Sequence, residues 1–466
     1  MERRGAGRAL LLMALAGSLA ACGPRAAPVM SGLEPGAAFR NAALAAEPQW
    51  PDPDWWRGFN APELDRLMQA AMAGNFDLAA AAARVRQADA QLRIAGATLL
   101  PNAGLDAGVT QSRSTAGSNF NRDRNSTSYD ATLSASYEVD FWGRNRNLRE
   151  AAAQDARARR FDQGTVLLTT EASIANTYFE VLAAREELRA QKENLAAARR
   201  ILNVIRQQVN FGTATGLDLA QQEAVVAQQQ AAIPALRQTA EQGVNALALL
   251  TGQPPATLTV ATGRFDGLRV PAAAPGQPSD LLARRPDVLA AEANLAAANA
   301  DVAAARAALL PTISLSLSGG FQSAALNTIL RPEAQFFSLV GGLAQTIFDG
   351  GALRGQVSLS QAQAEELLVE YRRAIVQALS DTEDALVALR ESTEGEGLRA
   401  EALSRAARAY DIAEAQLRAG TINVITLLNT QQTLFSARVS LVQARLARLR
   451  AAVALFRALG GGWQSI

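Results

Sequence analysis

The stretch that decides the fold is Asn75–Pro101, NFDLAAAAARVRQADAQLRIAGATLLP, because the chain repeats it as Arg285–Pro311, RPDVLAAEANLAAANADVAAARAALLP. After each copy the sequence indicates a β-hairpin, a very long helix, a glycine-bearing turn and a returning helix. Pro311 repeats Pro101, so the repeating unit is 311 − 101 = 210 residues long. This is much longer than the solenoid units of about 20–50 residues. The sequence therefore predicts a molecule built from two duplicated halves.

The composition favours long packed helices over one thick core. Apolar residues make up 49% of the 466 residues and aromatic residues only 5%. Much of the apolar fraction is alanine, the best helix former. The formal charge of +1 gives no field that would recruit nucleic acid. The chain has no histidine, and neither a nucleophile elbow nor a phosphate-binding glycine loop occurs. We therefore expect a protein that is not an enzyme, with no cofactor, no metal site and no nucleic-acid partner.

The N-terminus has the pattern of a bacterial lipoprotein signal peptide. Three arginines precede an apolar run from Ala9 to Ala21, which is too short to span a bilayer as a stable helix. The residues LAAC that end at Cys22 resemble a lipoprotein cleavage box, in which the cysteine becomes the acylated N-terminus. Gly23 after the cysteine, rather than Asp, fits sorting to the outer membrane. We expect lipidation, including palmitate, at Cys22. An ordinary secretory signal with an incidental cysteine is the alternative.

Segments in equivalent places of the two halves alternate between apolar and polar residues, which indicates strands with one face of each kind. In the first half Tyr129–Val139 alternates in this way, and a partner strand is expected at about 105–112. In the second half the alternation runs from Ile313 to Leu317, with a weaker partner from Phe337 to Leu343. Each half therefore contains one predicted β-hairpin.

Four strands leave two open sheet edges, and a single chain cannot remove them. Transmembrane barrels remove their edges by closing, and even the smallest bacterial barrels need about eight strands. Several copies of this chain, each giving four strands, are needed to close a pore. The apolar face would then meet lipid, and the face rich in Ser and Thr would line a wet lumen.

The longest helical patterns follow the hairpins, and each would extend roughly 100 Å if unbroken. The second has the apolar spacing of a coiled coil, and the stretch Glu391–Gly397 is expected to interrupt it near mid-length. The fold class is thus mainly α with a small β part. The predicted organisation begins with a signal peptide (1–21) and a lipidated N-terminal tether (22–60), whose tryptophans pack against the body. The first repeat (61–252) has a hairpin at about 102–140, a long helix at about 143–210 and a return helix at about 217–250. A linker (253–278) leads to the second repeat (279–466), which has the same elements at about 312–347, 352–418 and 424–459.

These residues resemble the outer-membrane efflux channels of the TolC-like family, specifically its lipoprotein (OprM/NodT-like) branch. The most specific segment is Pro278–Asp287, PSDLLARRPD, and supporting segments are DFWG at Asp140–Gly143 and FDGG at Phe348–Gly351. The resemblance implies a homotrimer with a twelve-stranded transmembrane β-barrel continued by a periplasmic α-barrel. It also implies the exit duct of a tripartite efflux pump for drugs or other small molecules. Such a duct is lipid-anchored in the outer membrane and joined through a periplasmic adaptor to an inner-membrane transporter, in this case expected to be proton-driven.

The resemblance places the periplasmic entrance of the duct at the two helix–turn–helix tips. Tip glycines and their neighbours meet the adaptor in the family, which here nominates Gly212, Thr213, Gly420 and Thr421. Both glycines also have a plain structural role, because a tight turn needs a positive φ. The two roles are compatible.

The resemblance also predicts residues for the periplasmic aperture. Family channels often carry acidic rings just inside the second tip, and the matching places here are Thr426 and Asn429, which are polar but uncharged. Asp218 occupies the matching place in the first tip. It is expected to contribute to an acidic ring, which favours cations, or to an inter-helix hydrogen bond. It is also expected to cap the following helix, and the two roles are compatible.

Acidic pairs elsewhere, at Glu186-Glu187, Glu365-Glu366 and Asp381 with Glu383 and Asp384, lie in long helical patterns and are expected to coat solvated faces. The efflux duct has one alternative in its own class, the exit duct of a type I-like protein-secretion system. A surface coiled-coil adhesin would show monotonous heptads and a separate head instead of two equivalent hairpins. The sequence does not assign the cargo.

Overall fold

The protein is described from a computed structural model. The residues described are 31–34, 36, 38–41, 50–114, 124–261, 263, 265–273, 275–461 and 463. In this part of the chain the helices are α1 (Pro62–Gly74), α2 (Phe76–Ala97), α3 (Arg144–Asn210), α4 (Gly216–Leu250), α5 (Pro278–Leu282), α6 (Pro286–Ala307), α7 (Ala352–Arg418) and α8 (Val424–Ala458), and the strands are β1 (Asn102–Ser114), β2 (Arg124–Val139), β3 (Thr312–Ser323) and β4 (Gln335–Ala344). Short 3₁₀ turns occur at Trp55–Phe59, Phe265–Gly267, Leu326–Thr328 and Pro332–Ala334.

The duplication predicted from the sequence extends to the lengths of the helices. The helices that precede the hairpins, α2 and α6, have 22 residues each. The long helices α3 and α7 have 67 residues each, and the return helices α4 and α8 have 35 each. A mainly helical fold of two duplicated halves, each with one β-hairpin, is therefore confirmed.

The predicted interruption of the second long helix is wrong, because α7 continues through Glu391–Gly397. Two glycines in a helix cost about 1 kcal/mol each relative to alanine, but contacts with the return helix offset this cost. Glu396 accepts hydrogen bonds from Arg445 (3.1 Å) and Arg448 (2.8 Å), both on α8. This contact between two helices overrides the local preference.

The four strands form one antiparallel sheet in the order β1-β2-β3-β4. The central pairing, β2 with β3, joins the hairpins of the two halves, with Leu133 opposite Gly319 and Tyr137 opposite Leu315. Directly paired residues share a face. Phe336 and Val340 of β4, which pair with Gly320 and Ser316, lie on the polar face, but the registers place the other large apolar residues of the four strands on the opposite side. That side carries Ala103, Leu105, Ala107, Val109, Tyr129, Ala131, Leu133, Ala135, Tyr137, Val139, Ile313, Leu315, Leu317, Phe321, Phe337, Leu339 and Leu343.

The chain divides into two compact units that cut across the predicted repeats. One unit contains Val85–Arg159 and Ala291–Tyr371, and therefore the whole sheet. The other contains Leu33–Arg84, Arg160–Ala290 and Arg372–Ile466. Each unit takes segments from both halves, so the two halves fold together rather than as separate domains.

The core of the second unit is aromatic at its centre. Trp55 stacks on Phe456 with ring centroids 5.1 Å apart, and Phe59 packs on Phe179 at 5.0 Å. All four side chains are buried, as is Trp56. The expectation that the tryptophans of the N-terminal segment pack against the body is confirmed.

Candidate functional site

The chain reverses direction at two tips, the first between α3 and α4 and the second between α7 and α8. At the first tip Gly212 has a φ of 73°, and its N–H donates to the carbonyl of Val209 at 3.0 Å. The N–H of Thr213 donates to the carbonyl of Gln208 at 2.8 Å. These two bonds define a Schellman motif, which satisfies the free carbonyls at a helix end. At the second tip Gly420 has a φ of 72°, and the two equivalent bonds are both 3.0 Å long.

The four residues nominated for adaptor contact, Gly212, Thr213, Gly420 and Thr421, all lie on the exposed surface of these turns. The structural role of the glycines is present, because both hold a positive φ. Each threonine hydroxyl also donates back to its own long helix, at 3.0 Å in the first tip and 3.1 Å in the second. The two tips therefore present the same backbone shape to a partner. Their contact with an adaptor stays a prediction.

Asp218 closes a capping box at the start of α4. Its carboxylate accepts hydrogen bonds from the N–H (2.9 Å) and the hydroxyl (2.7 Å) of Thr215, and its own N–H donates to the Thr215 hydroxyl at 3.2 Å. The side-chain hydrogen bond from Thr215, followed by the backbone bond, lowers the pKa of Asp218. Asp218 is therefore ionised at the first tip and caps its helix. A role at the aperture stays a prediction beside the cap.

The second tip uses a neutral version of the same cap. The side chain of Asn423 accepts from the N–H (2.9 Å) and the hydroxyl (2.8 Å) of Thr426. Thr426 and Asn429 are both exposed. The first tip thus carries a carboxylate where the second carries only amide and hydroxyl groups.

The structure brings the two tips side by side. The side-chain amide of Gln208 donates to the carbonyl of Leu417 at 3.2 Å, which links the ends of α3 and α7. A buried apolar cluster lies behind both tips and joins the two helical hairpins, α3–α4 and α7–α8, through Ile205 of α3, Tyr410 of α7 and Leu427 of α8. The predicted aperture residues of both halves therefore belong to one end of the second unit.

The acidic residues expected to coat solvated faces do so only in part. Glu186 and Glu187 are half-buried, and burial raises the pKa of Glu187. Glu365 and Glu366 are exposed, as is Asp384. Asp381, however, lies 3.0 Å from the guanidinium of the buried Arg285. The expectation of a solvated face is wrong for Asp381, because a residue 96 positions away supplies its counter-ion.

Glu383 also has a partner that the helical pattern does not reveal. Its carboxylate accepts from the N–H of Arg40 (2.5 Å) and from the N–H (3.1 Å) and side-chain amide (2.6 Å) of Asn41. The neighbouring Phe39 is buried. Glu383 therefore binds the N-terminal segment to α7. The only signal in the sequence is Phe39, a single aromatic residue in a stretch rich in Ala, Pro and Gly.

Cys22, the predicted lipidation site, and the predicted signal peptide lie outside the described residues. Among the residues that are described, no three His, Cys, Asp or Glu side chains are grouped as metal ligands would be. Within the same ranges none of the helices combines the length and hydrophobicity that a membrane crossing requires.

Two equal helical hairpins and a four-stranded sheet with one apolar face form the architecture that the resemblance to outer-membrane efflux channels implied. Residues 67–253 and 277–461 match the model of the outer membrane efflux protein family, and the chain belongs to that family. It is similar to the pyoverdine export outer membrane protein OpmQ of Pseudomonas putida, with 41% identity over 464 residues and 98% of each chain covered. It is 42% identical over 455 residues to OpmQ of Pseudomonas aeruginosa, covering 96% of this chain and 95% of the relative. The solved structure of the outer-membrane channel OprN superposes with a TM-score of 0.89 at 28% identity, covering 95% of this chain and 99% of that one.

These findings confirm the family and the function predicted from the sequence. The protein is the outer-membrane exit duct of an efflux pump and conducts its cargo passively, without enzymatic chemistry. It acts in the outer membrane and extends into the periplasm. The relatives are efflux and export proteins, which favours efflux over protein secretion.

Proposed function

We propose that three copies of this chain form the duct. The tips of the duct dock a periplasmic adaptor, which is joined to a proton-driven inner-membrane transporter. The cargo of the duct is a siderophore of the pyoverdine class. The proposal rests above all on one observation, a four-stranded sheet with a continuous apolar face. Such a face suits lipid, whereas a row of unpaired backbone groups at a sheet edge does not. β1 and β4 are the edge strands of this sheet. Three copies joined edge to edge would satisfy both edges of every copy.

An uncovered stripe on α7 supports assembly with further copies. Val376, Leu398 and Ile412 are 56%, 61% and 59% exposed in the single chain. At about 100° per residue they lie within about 40° of one direction around the helix. Arg390 and Arg405 lie between them on nearly the same side. A mixed apolar and charged stripe of this kind is typical of a helix that packs against another copy.

The tips support docking of a partner at the periplasmic end. Each tip is a turn of exposed glycine and threonine with a fixed backbone shape, and Phe211 at the first tip is 83% exposed. Large exposed aromatic side chains are frequent anchors in protein interfaces. We assign the adaptor contact to Gly212, Thr213, Gly420 and Thr421.

The aperture residues proposed are Asp218, Thr426 and Asn429. In a trimer Asp218 would supply three carboxylates around the entrance, whereas Thr426 and Asn429 would supply uncharged polar groups. Carboxylate rings favour cations over anions. The entrance would therefore bind cations more weakly than a channel with acids at both tips.

Lipidation at Cys22 is the proposed anchor. The support is the sequence alone, which places a cysteine directly after a signal-length apolar run. Replacement of Cys22 by serine should leave the signal sequence in place and remove the acyl chains, which mass spectrometry of the membrane-bound protein would detect.

The cargo assignment follows from similarity along the whole chain. Identity to the two pyoverdine exporters is 41% and 42%, against 32% to the toluene efflux pump protein TtgF of Pseudomonas putida. We would test it by expressing this chain in a P. putida strain that lacks OpmQ and measuring pyoverdine in the medium and in the periplasm. Restored export supports the cargo. Restored tolerance to other compounds without pyoverdine export would support the efflux function and contradict the assignment of pyoverdine as the cargo.

A further inference from the structure

The segment Pro278–Asp287, the most specific part of the sequence, contains an arginine, Arg285, whose contacts the duct function does not explain. Arg285 is only 8% exposed and stands immediately before Pro286, the first residue of α6. Its guanidinium binds both carboxylate oxygens of Asp287, at 3.0 and 2.6 Å. The same group binds Asp381 of α7 at 3.0 Å. Two longer contacts of 3.5 Å reach the carbonyls of Ala378 and Ala458.

One side chain therefore joins three helices: the start of α6, the middle of α7 and the end of α8. Arginine suits this place because its planar group has five donors, which lysine cannot match. Burial lowers the pKa of Arg285, but the hydrogen bonds and charges of Asp287 and Asp381 raise it by more, so the group stays charged. The guanidinium is buried and directs donors at each helix, whereas the side chains of Asp287 and Asp381 are 36% and 30% exposed.

The first half contains the same junction in a simpler form. Asn75 stands immediately before Phe76, the first residue of α2, and its side-chain amide donates to the carbonyl of Leu250 at 2.7 Å. Leu250 and Ala458 are the last residues of α4 and α8, which have equal lengths. Asn75 and Arg285 therefore perform one shared task, which is to close the end of the return helix.

The halves differ at the long helix. Asp381 lies 29 residues after Ala352, the first residue of α7. The residue at the same distance from Arg144, the first residue of α3, is Ser173. The Ser173 hydroxyl donates to the carbonyl of Thr169 at 2.7 Å, within its own helix. The pair Asn75 and Ser173 thus provides no charged link to α3, whereas Arg285 and Asp381 tie α7 to the end of α8.

We propose that Arg285 is a positioning residue of the duct, which fixes α7 at the turn Ala378–Asp381 so that the second tip extends from a fixed point. Thr426 and Asn429 lie on α8, in the helical hairpin α7–α8 whose position this contact fixes. Among the described residues, the matching turn of α3 has no such ionic attachment. Only the expected effect on conduction rests on the proposed function. The contacts between Arg285 and α7 lie within a single chain and do not depend on it.

The decisive variant converts the second junction into the first. Arg285→Asn together with Asp381→Ser reproduces the pair Asn75 and Ser173, so it keeps an amide for the end of α8 and removes the link to α7. A cavity of about 160 Å³ adjoins the cluster and is lined by Asp287 and Asp381. It is large enough for water, which can solvate Asp287 after the change. The matched control is Arg284→Asn, which removes the same charge one residue earlier, where the guanidinium lies 4.5 Å from the Trp50 ring.

The measurement is hydrogen exchange of the full-length protein in detergent, read by mass spectrometry. We expect residues 374–386 of α7 to exchange on the order of tenfold faster in the double variant, with residues 166–178 of α3 unchanged. The control variant should show neither change. Single-channel conductance of the same preparations should rise or become less steady in the double variant only.

Unchanged protection at residues 374–386 would overturn the proposal. Equal acceleration along the whole chain would also overturn it, since Arg285 would then stabilise the fold without positioning α7. If the double variant does not fold, Arg285→Lys takes its place, because lysine keeps the charge but cannot bridge both carboxylates and the helix carbonyls. A wild-type protein that forms no channel would reject the proposed trimeric pore, and the exchange experiment would still decide the role of Arg285.

Discussion

The indole N–H of Trp55 donates a hydrogen bond of 3.2 Å to the buried carboxyl of Glu171, 116 residues away in the chain. Trp55 also stacks on Phe456, so the bond ties the N-terminal segment, α3 and α8 at one point. Burial raises the pKa of Glu171 to about 8, and the hydrogen bond from Trp55 only partly opposes this effect. The carboxyl is therefore mostly protonated at neutral pH.

The stability of the fold should fall as the pH rises through 8. The folded pKa of Glu171 lies above its unfolded value of 4.5, so its contribution is complete below 4.5 and is lost as the pH rises through about 8. Glu171→Gln keeps an acceptor for Trp55 and cannot ionise. We expect the variant and the wild type to have similar Tm values at pH 5, and the variant to melt several degrees higher at pH 9. The exposed Glu365→Gln should show no such pH-dependent difference.

Glu383 should protect the N-terminal segment from trypsin. Its carboxylate holds the backbone on both sides of the bond after Arg40, so the protease cannot take that bond into its active site. Glu383→Ala should speed cleavage at this position at least severalfold, with a new N-terminus at Asn41. Asp384→Asn, an exposed change on the next residue, should cleave like the wild type. Equal rates in all three proteins would show that the contact does not hold the segment.

The tip glycines should tolerate asparagine better than alanine. Gly212 has a φ of 73°, where a side chain with a Cβ costs about 1–2 kcal/mol, and asparagine is the residue that best accepts this region. Its surroundings are open, because an added Cβ would meet nothing within 4 Å. Gly212→Ala should therefore lower the free energy of unfolding by about 1 kcal/mol, and Gly212→Asn by clearly less. Chemical denaturation measures both, and an equal loss would point to crowding instead of strain.

Charge at the tips should control block by divalent cations. Asn429→Asp adds a carboxylate to the second tip of each copy, and Asp218→Asn removes one from the first. Because carboxylate rings attract cations, the first variant should be blocked more strongly than the wild type and the second less. Conductance in planar bilayers with and without divalent cations measures this. An unchanged block in both variants would place these residues away from the pore.

Sequence periodicity was sufficient for the architecture. The repeat of Asn75–Pro101 at Arg285–Pro311 predicted two halves, and the alternation in Tyr129–Val139 predicted a strand with one apolar face. The repeat follows from comparing two segments of the sequence, and the alternation follows from neighbouring residues within one element, so neither signal requires knowledge of which elements contact each other in the fold. The tips followed in the same way from Gly212 and Gly420, which the structure shows at positive φ.

Contacts between distant elements were not predictable from these patterns. Asp381 and Glu383 have the spacing of a solvated helix face, yet their partners lie 96 and 343 residues away. The glycines near Glu396 suggested a break in α7, which two arginines of α8 prevent. In each case a charge on a helix paired with a residue whose proximity only the folded chain establishes.

The central claim, that three copies close their sheets into one pore, is tested most directly by cross-linking the two edge strands. Within one chain β1 and β4 are separated by β2 and β3, at roughly 4.8 Å per strand, so cysteines on them lie too far apart for a disulfide. We would place one cysteine at Leu339 on β4 and scan the apolar positions Ala103, Leu105, Ala107 and Val109 on β1, in a Cys22→Ser background. The account predicts that at least one pair gives a covalent trimer on a non-reducing gel, and no larger species. Monomers at every position, or a ladder that continues beyond three, would contradict it.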